Sequence, residues 1–360
     1  MPPRPGRPSP GADPSFGAAR RGAIVGRRVD RFVVGTGRCG STLLSRMLAC
    51  HPGAVSVFEL FNGIDVSVRF AREPIDGERY AALIAAEQPF VTAVLRRGYE
   101  VSEIVYPFER GRRRRDEPLP WILVSMLPRL SDDPDALFER VMAHARSQPR
   151  QSPVAHHRAL FEWLVAHLGR SFWLERSGSS LDYLGELAAS FPEARFLHIH
   201  RDGREAALSM VHHHAYRLPI SLLYDAPLDD GARLSDLGPL DLHAAPTGDD
   251  PISRVLASRP PPAVFGRYWC DQVRRGARAL RDLEPDRYET VRFEDLVARP
   301  REVLESVARF FALPEGGDWI ERAAGLVRGM PPDRHPGLPE SEAAALDAAC
   351  RPGQRLLGRA

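Results

Sequence analysis

The chain is expected to fold as α/β, in three layers, with helices packed on both faces of a central parallel sheet. Two observations carry this expectation. Short runs of strand length, Phe32-Val33-Val34, Ala54 to Phe58, Phe172 to Arg176, Ala194 to His200 and Tyr288 to Phe293, alternate with segments whose apolar residues recur at helical spacing. The first run breaks directly into a glycine-rich turn, Gly35-Thr36-Gly37-Arg38-Cys39-Gly40, and a helical pattern follows at Leu43, Leu44, Met47 and Leu48. Ser41 or Thr42 is expected to cap that helix, and His51-Pro52-Gly53 to stop it. A strand, a glycine loop and a helix N-terminus aim free backbone N–H groups and the positive end of the helix dipole at one point, which makes an anion site.

Composition bounds the rest. With 360 residues, 43% of them hydrophobic, there is material for one large α/β domain or two small ones. A net charge of +2 supports no general nucleic-acid or membrane-surface role, so anion binding must be local. Cys39, Cys50, Cys270 and Cys350 are scattered without C-x-x-C spacing, which argues against a zinc site or a secreted disulfide framework and for a reduced, cytoplasmic protein. Residues 1–28, rich in Pro, Gly, Arg and Ala, lack the apolar core of a signal peptide and are expected to form a disordered leader. No run of about 20 apolar residues suggests a membrane span. Arg112 to Arg115 reads as a solvated loop rather than a polyanion patch.

Three kinds of loop fit the Gly35 turn. The P-loop of nucleotide triphosphatases places Lys directly after its second glycine. Here Ser41 follows Gly40 and the chain contains no lysine, so the loop cation is Arg38. Gly35, Gly37 and Gly40 also satisfy the dinucleotide pattern G-x-G-x-x-G, with Glu59 in the range of a ribose-binding acid. The third alternative is favoured. GTGRCGSTLL resembles the 5′-phosphosulfate loop of sulfotransferases that use 3′-phosphoadenosine 5′-phosphosulfate (PAPS), in the branch that includes tyrosylprotein sulfotransferases and has arginine where the cytosolic branch has lysine. The resemblance implies a donor cradle of Arg38, Cys39, Gly40, Ser41 and Thr42, with Arg38 bringing a fixed fork of donors to the phosphosulfate.

Further along, Ala54 to Phe58 reads as a strand delivering Glu59, 21 residues after Arg38. That offset matches the glutamate general base of the tyrosylprotein branch, so the resemblance makes Glu59 the group that deprotonates an acceptor hydroxyl. From Phe61 to Arg150 short helical patterns, at Tyr80 to Glu87 and Asp135 to His144, alternate with loops; acceptor contacts are expected here. His156 to Leu168 reads as a helix whose histidines His156, His157 and His167 are surface or core residues, and Leu181 to Ser190 as another helix. Arg176, at the end of the Phe172 strand, lies 25 residues before Arg201, where the branch has a lysine, which implies a role in stabilising charge on the sulfonate and leaving phosphate.

The stretch Ala194 to Arg204, running into a helix from Glu205 to His214, resembles the 3′-phosphate motif of sulfotransferases, with Arg201 at the strand end and Ser209 eight residues later. Arg204 is expected to form a salt-bridged turn. His212-His213-His214 offers no metal site, because neighbours on a helix point about 100° apart; one of them is placed at the acceptor cleft. Leu218 to Pro262, rich in Asp, Pro and Gly, reads as an insertion or lid whose acidic balance disfavours a polyanionic acceptor. Val264 to Leu283 reads as a helix, Tyr288 to Phe293 as a buried strand and Arg301 to Phe311 as an amphipathic helix; YETVRFEDL also resembles the segment that closes the sulfotransferase sheet.

The combined expectation is a P-loop-like three-layer α/β/α domain over residues 29–360, with PAPS as sulfuryl donor and no metal. Glu59, Arg38 and Arg176 would be catalytic, and Arg38, Cys39, Gly40, Ser41, Thr42, Arg201 and Ser209 donor-binding. The acceptor would be a hydroxyl, or less readily an amine, on a small molecule, carbohydrate or lipid, with no nucleic acid partner. A P-loop nucleotide kinase or triphosphatase and a non-catalytic nucleotide-binding module are the alternatives.

Overall fold

The computed structural model describes residues 29–359; the expected leader, residues 1–28, lies outside them. Five strands form one parallel sheet in the order β2-β3-β1-β4-β5, where β1 is Arg31–Gly35, β2 Ala54–Phe58, β3 Phe172–Arg176, β4 Arg195–His200 and β5 Tyr288–Arg292. β1 is central, and pairs Phe32 with Glu175 of β3 on one side and with Phe196 of β4 on the other. This sheet, with the glycine loop leaving its central strand, has the P-loop-like layout expected.

The apolar run of β1 follows from its position. Phe32 and Val34 enter a core on one face of the sheet, while Val33 enters a second core on the other. A strand covered on both faces has no polar side to show. On the first face Phe32 meets the rings of Phe191 at 4.8 Å and Phe196 at 5.6 Å, under the helix α2, Pro153–His167. On the second face α1, Ser41–Leu48, buries Leu44, Met47 and Leu48 with Leu304 and Val307 of a later helix, Pro300–Phe310. His156 and His157 of α2 are core residues: His157 Nδ1 is 3.0 Å from the Tyr80 hydroxyl.

Three local expectations are corrected. α1 has no side-chain cap from Ser41 or Thr42; its N-cap is Gly40, in a left-handed conformation. The helix expected to run to His214 ends earlier: α3, Gly203–Val211, stops before His212, and α4, His214–Leu223, starts afresh. The three histidines thus span a helix break, which leaves no single helix to set their directions. β5 is not buried throughout. It is an edge strand, paired with β4 on one side only, on which Val291 alone is fully covered. The stretch 218–262 begins inside α4 and contains a second helix, Pro251–Ala257. Its Leu228, Leu234, Ile252, Val255 and Leu256 are buried in the main core, and Asp250 pairs with Arg97 at 2.7 Å. Apolar anchors at these spacings hold the segment, read from the sequence as an insertion or lid, against the domain.

A long helix, α5, Pro262–Arg281, and the last helix, α6, Glu340–Leu356, pack together through Trp269, Leu346 and Cys350. Arg359, just beyond, donates from Nη1 to Glu294 at 3.0 Å, so the end of the chain is fastened beside the end of β5.

Candidate active site

The sequence-marked residues gather at the carboxyl edge of the sheet, where ligands of open α/β sheets bind. Arg38 lies in the loop after β1, Glu59 directly after β2, Arg176 at the end of β3 and Arg201 directly after β4. Parallel pairing puts these ends side by side: Phe58 is level with Arg176. They line one cavity of about 150 Å³, together with Gly40 to Thr42 at the start of α1, Ser209 from α3 and Tyr216 from α4. Three guanidinium groups face it against two carboxylates, Glu59 and Glu103. The uncapped first turn of α1 adds N–H groups without intrahelical partners. The arrangement attracts anions.

The two motifs meet directly. Arg38 Nε donates to Ser209 Oγ at 3.0 Å, across 171 residues of sequence. Its Nη1 lies 3.8 Å from Glu103 Oε1. Arg201 is 7% exposed, stands over the Phe293 ring at 4.8 Å, and lies 3.9 Å from Glu205. Glu205 is itself fixed by the backbone N–H groups of Arg334 and His335 at 2.8 and 2.9 Å. Arg204 instead pairs with Asp202 at 2.6 Å, in the salt-bridged turn expected of it.

Arg176 joins the acid to the loop. One of its terminal nitrogens pairs with Glu59 Oε1 and the other donates to Thr42 Oγ1, while its guanidinium lies 4.5 Å from the centre of the Phe58 ring. Glu59 also accepts from the Gly178 N–H, at 3.1 and 3.0 Å to its two oxygens, and from Asn62. Burial raises the Glu59 pKa, with the Coulombic pull of Arg176 and the Gly178 and Asn62 hydrogen bonds working against that rise. A buried carboxylate pushed upward is a stronger base than a solvated one.

Glu103 has the opposite balance. Burial alone would raise its pKa, but the hydrogen bond and charge of His213, with Arg38 and Arg176 nearby, lower it to about 2. His213 Nε2 lies 2.9 Å from Glu103 Oε2. Of the histidine triplet, His213 is the one beside the site.

Backbone geometry marks the same place. Arg38, Glu59 and Ser179 are non-glycine residues with φ of 58°, 57° and 55°, a conformation that side chains disfavour and that tends to cluster at functional sites. Trp121 Nε1 donates to the Glu59 carbonyl at 2.7 Å and so helps hold that turn. A Cβ on Gly37 would lie 2.4 Å from the Tyr216 ring, so only glycine lets Tyr216 close over the loop.

Cys39 is the one expected donor residue whose side chain turns away. Its Sγ donates to the Thr36 carbonyl at 2.9 Å in the core, leaving only its backbone for the cradle. Sequence reasoning missed Glu103, Tyr216, Asn62, Trp121 and Ser179, which sit in no motif. Phe293 lay within the YETVRFEDL run without its role being visible.

Residues 109–230 match the model of a sulfotransferase family. The matched stretch contains β3, β4 and α3, hence Arg176, Arg201 and Ser209; Arg38 to Thr42 and Glu59 precede it. Among solved structures, similar sulfotransferases include the sulfotransferase domain from the curacin biosynthetic pathway, at 16% identity over 89% of this chain and 97% of that one, with a TM-score of 0.47. The sulfotransferase domain of the Synechococcus PCC 7002 olefin synthase has 16% identity over 92% and 91%, with a TM-score of 0.42. Sulfotransferase STF1 from Mycobacterium tuberculosis H37Rv has 15% identity over 90% and 77%, with a TM-score of 0.42. No curated protein matches this chain.

Proposed function

We propose that this protein is a sulfotransferase that takes its sulfuryl group from PAPS and passes it to an acceptor hydroxyl, with Glu59 as the base. The observation that carries the reading is the single cavity into which the Arg38 loop, the Arg201–Ser209 motif and Glu59 all converge. The donor has two anionic ends, and the residues fit both. Arg38 and the N–H groups at the start of α1 suit the 5′-phosphosulfate, while Arg201, braced by Glu205 and Phe293, suits the 3′-phosphate.

In this scheme the acceptor O–H gives its proton to the Glu59 carboxylate as its oxygen bonds to sulfur. The bond from sulfur to the 5′-phosphate oxygen breaks, releasing 3′-phosphoadenosine 5′-phosphate and a sulfate ester. Charge that builds on the leaving phosphate falls to Arg38 and Arg176. Arg176 does this as a fixed cation, since a guanidinium keeps its proton at working pH. The chain has no lysine to serve as a triphosphatase loop cation, which disfavours the kinase alternative.

The donor site draws on residues from Arg38 to Tyr216, which supports reading residues 29–360 as one working domain. Cys39, Cys50, Cys270 and Cys350 are all free, which suits a reducing, cytoplasmic setting. Among the described residues no helix is long and apolar enough to cross a membrane.

The test is transfer from sulfuryl-labelled PAPS to a panel of hydroxyl compounds, with a chelator present. Label should leave the donor with matching release of 3′-phosphoadenosine 5′-phosphate, and Arg38→Ala should abolish it. Absence of transfer together with magnesium-dependent ATP cleavage would contradict the reading.

A further inference from the structure

Arginines also face one another away from the proposed donor cavity. A cavity of about 400 Å³ lies at the edge of the sheet, between α1 and β2, and shares no lining residue with that site. β2 is an edge strand. Its Val55 and Val57 enter the main core, so Ala54, Ser56 and Phe58 point to the opposite face, toward α1, and line this cavity.

Three guanidinium groups face the space, from Arg46 of α1, Arg129 and Arg170, and no carboxylate lines it. Much of their donor capacity is unused. Among the described residues the Arg46 side chain donates no hydrogen bond and joins no ion pair. Arg170 donates from Nη1 to the Pro52 carbonyl at 2.5 Å. Arg129 donates from Nε to the Ser125 carbonyl at 3.0 Å and from Nη2 to the Glu103 carbonyl at 3.3 Å, which leaves its Nη1 without a partner among the described residues. Burial lowers the Arg129 pKa, and the charges of Arg176 and Arg46 lower it further, against the pull of Glu103 and Glu59. Like charges around one space repel, and an anion between them removes that cost.

Two serines point the same way independently. Ser45 and Ser56 are 2% and 8% exposed and line the cavity, with their hydroxyl oxygens 2.8 Å apart. One hydroxyl donates to the other, so the pair keeps one O–H hydrogen with no acceptor among the described residues. A buried donor left unmatched is costly, and an oxyanion would accept from it.

The other walls are apolar: Phe58, Leu130, Leu168 and Leu326. A cavity of about 150 Å³ holds one benzene, so this one has room for an oxyanion and a ring-sized apolar body together. Three positive charges favour a dianion over a monoanion, and the guanidinium fork matches phosphate oxygens. We propose that this cavity is a second anion site, which binds an organic phosphate monoester through Arg46, Arg129, Arg170 and the Ser45–Ser56 pair, with the apolar body of the ester against Phe58 and the leucines. Its residues take no part in the sulfuryl transfer set out above.

The test is calorimetric titration with phenyl phosphate of the full chain, saturated with 3′-phosphoadenosine 5′-phosphate so that the donor cavity is filled. Phenyl sulfate, inorganic phosphate and benzyl alcohol serve as the monoanion, the dianion without an apolar body and the uncharged body. Phenyl phosphate should bind one to one, about tenfold more tightly than phenyl sulfate or inorganic phosphate, and benzyl alcohol should not bind. Arg46→Gln and Arg170→Gln, both at exposed positions, should each weaken phenyl phosphate about tenfold and leave nucleotide affinity nearly unchanged. Ala49→Trp, also at an exposed position of the lining, should fill the cavity and abolish phenyl phosphate binding. No binding of phenyl phosphate, binding unchanged in all three variants, displacement of the ester by the nucleotide, or inorganic phosphate binding as tightly as the ester would overturn the proposal. Failure of the nucleotide itself to bind would instead sink the donor reading, and the same titration of Arg38→Ala protein would still decide whether the second site exists.

Discussion

Gly40→Ala probes the junction of the two halves of the proposed donor site. Gly40 has φ of 94° and ψ of 3°, and a Cβ there would lie 2.2 Å from Phe293 Cδ2. Two costs follow. A left-handed backbone costs an L-residue about 1–2 kcal/mol, and pushing a well-packed ring aside costs about 1–3 kcal/mol more. Urea denaturation should therefore show a loss of about 2–5 kcal/mol, read from the midpoint at unchanged slope. The ring matters to function because Arg201 stands over its face at 4.8 Å, so nucleotide affinity should fall as well. Phe293→Ala alone leaves a hole, but in the double variant the clash is gone and only the backbone cost remains. The double should thus be about 1–3 kcal/mol more stable than the sum of the two losses implies. A Gly40→Ala loss below about 0.5 kcal/mol, or strict additivity in the cycle, would refute the reasoning.

Glu59→Gln keeps the shape and the Arg176 contact of the acid but removes its proton affinity; turnover should drop about 10²- to 10⁴-fold with nucleotide affinity nearly unchanged by calorimetry, and a fully active variant would remove Glu59 as base. Because burial raises the Glu59 pKa above its ordinary 4.5 and the base works ionised, the acid limb of kcat/KM against pH should lie above that value; a limb below it would contradict the assignment. Glu103 is held at about 2, below an ordinary 4.5, so its stabilisation is present above pH 4.5 and is lost as pH falls toward 2. Glu103→Gln should accordingly cost roughly 3 kcal/mol at pH 7, with the gap to the wild type closing by pH 2 in denaturation curves.

Much of the proposed donor site was legible because its residues are local in sequence. Arg38 to Thr42 are one loop and helix start, and Arg201 and Ser209 one strand end and helix. Their convergence needed only parallel strands, which the runs of β1 and β4 announced. Glu59 and Arg176 were legible as strand ends, though their ion pair depends on a register that places Phe58 level with Arg176. Glu103 was not legible, since it sits in no periodic element and becomes a site residue only through His213 and Arg38, more than 60 residues away on either side. The histidine triplet misled because a helix break between α3 and α4 leaves no periodic trace. β5 misled because burial of a strand depends on its neighbours, and the edge has only one.

The central claim is that Arg201 and its surroundings read a 3′-phosphate. The most direct measurement is calorimetric binding, without magnesium, of 3′-phosphoadenosine 5′-phosphate and of adenosine 5′-phosphate to the wild type and to Arg201→Ala. A buried, charge-assisted contact of this kind contributes about 1.5–3 kcal/mol, so removing either the 3′-phosphate or Arg201 should weaken binding roughly 10- to 150-fold, and removing both should cost little more. Equal binding of the two nucleotides to the wild type, or an Arg201→Ala variant that still discriminates between them fully, would contradict it.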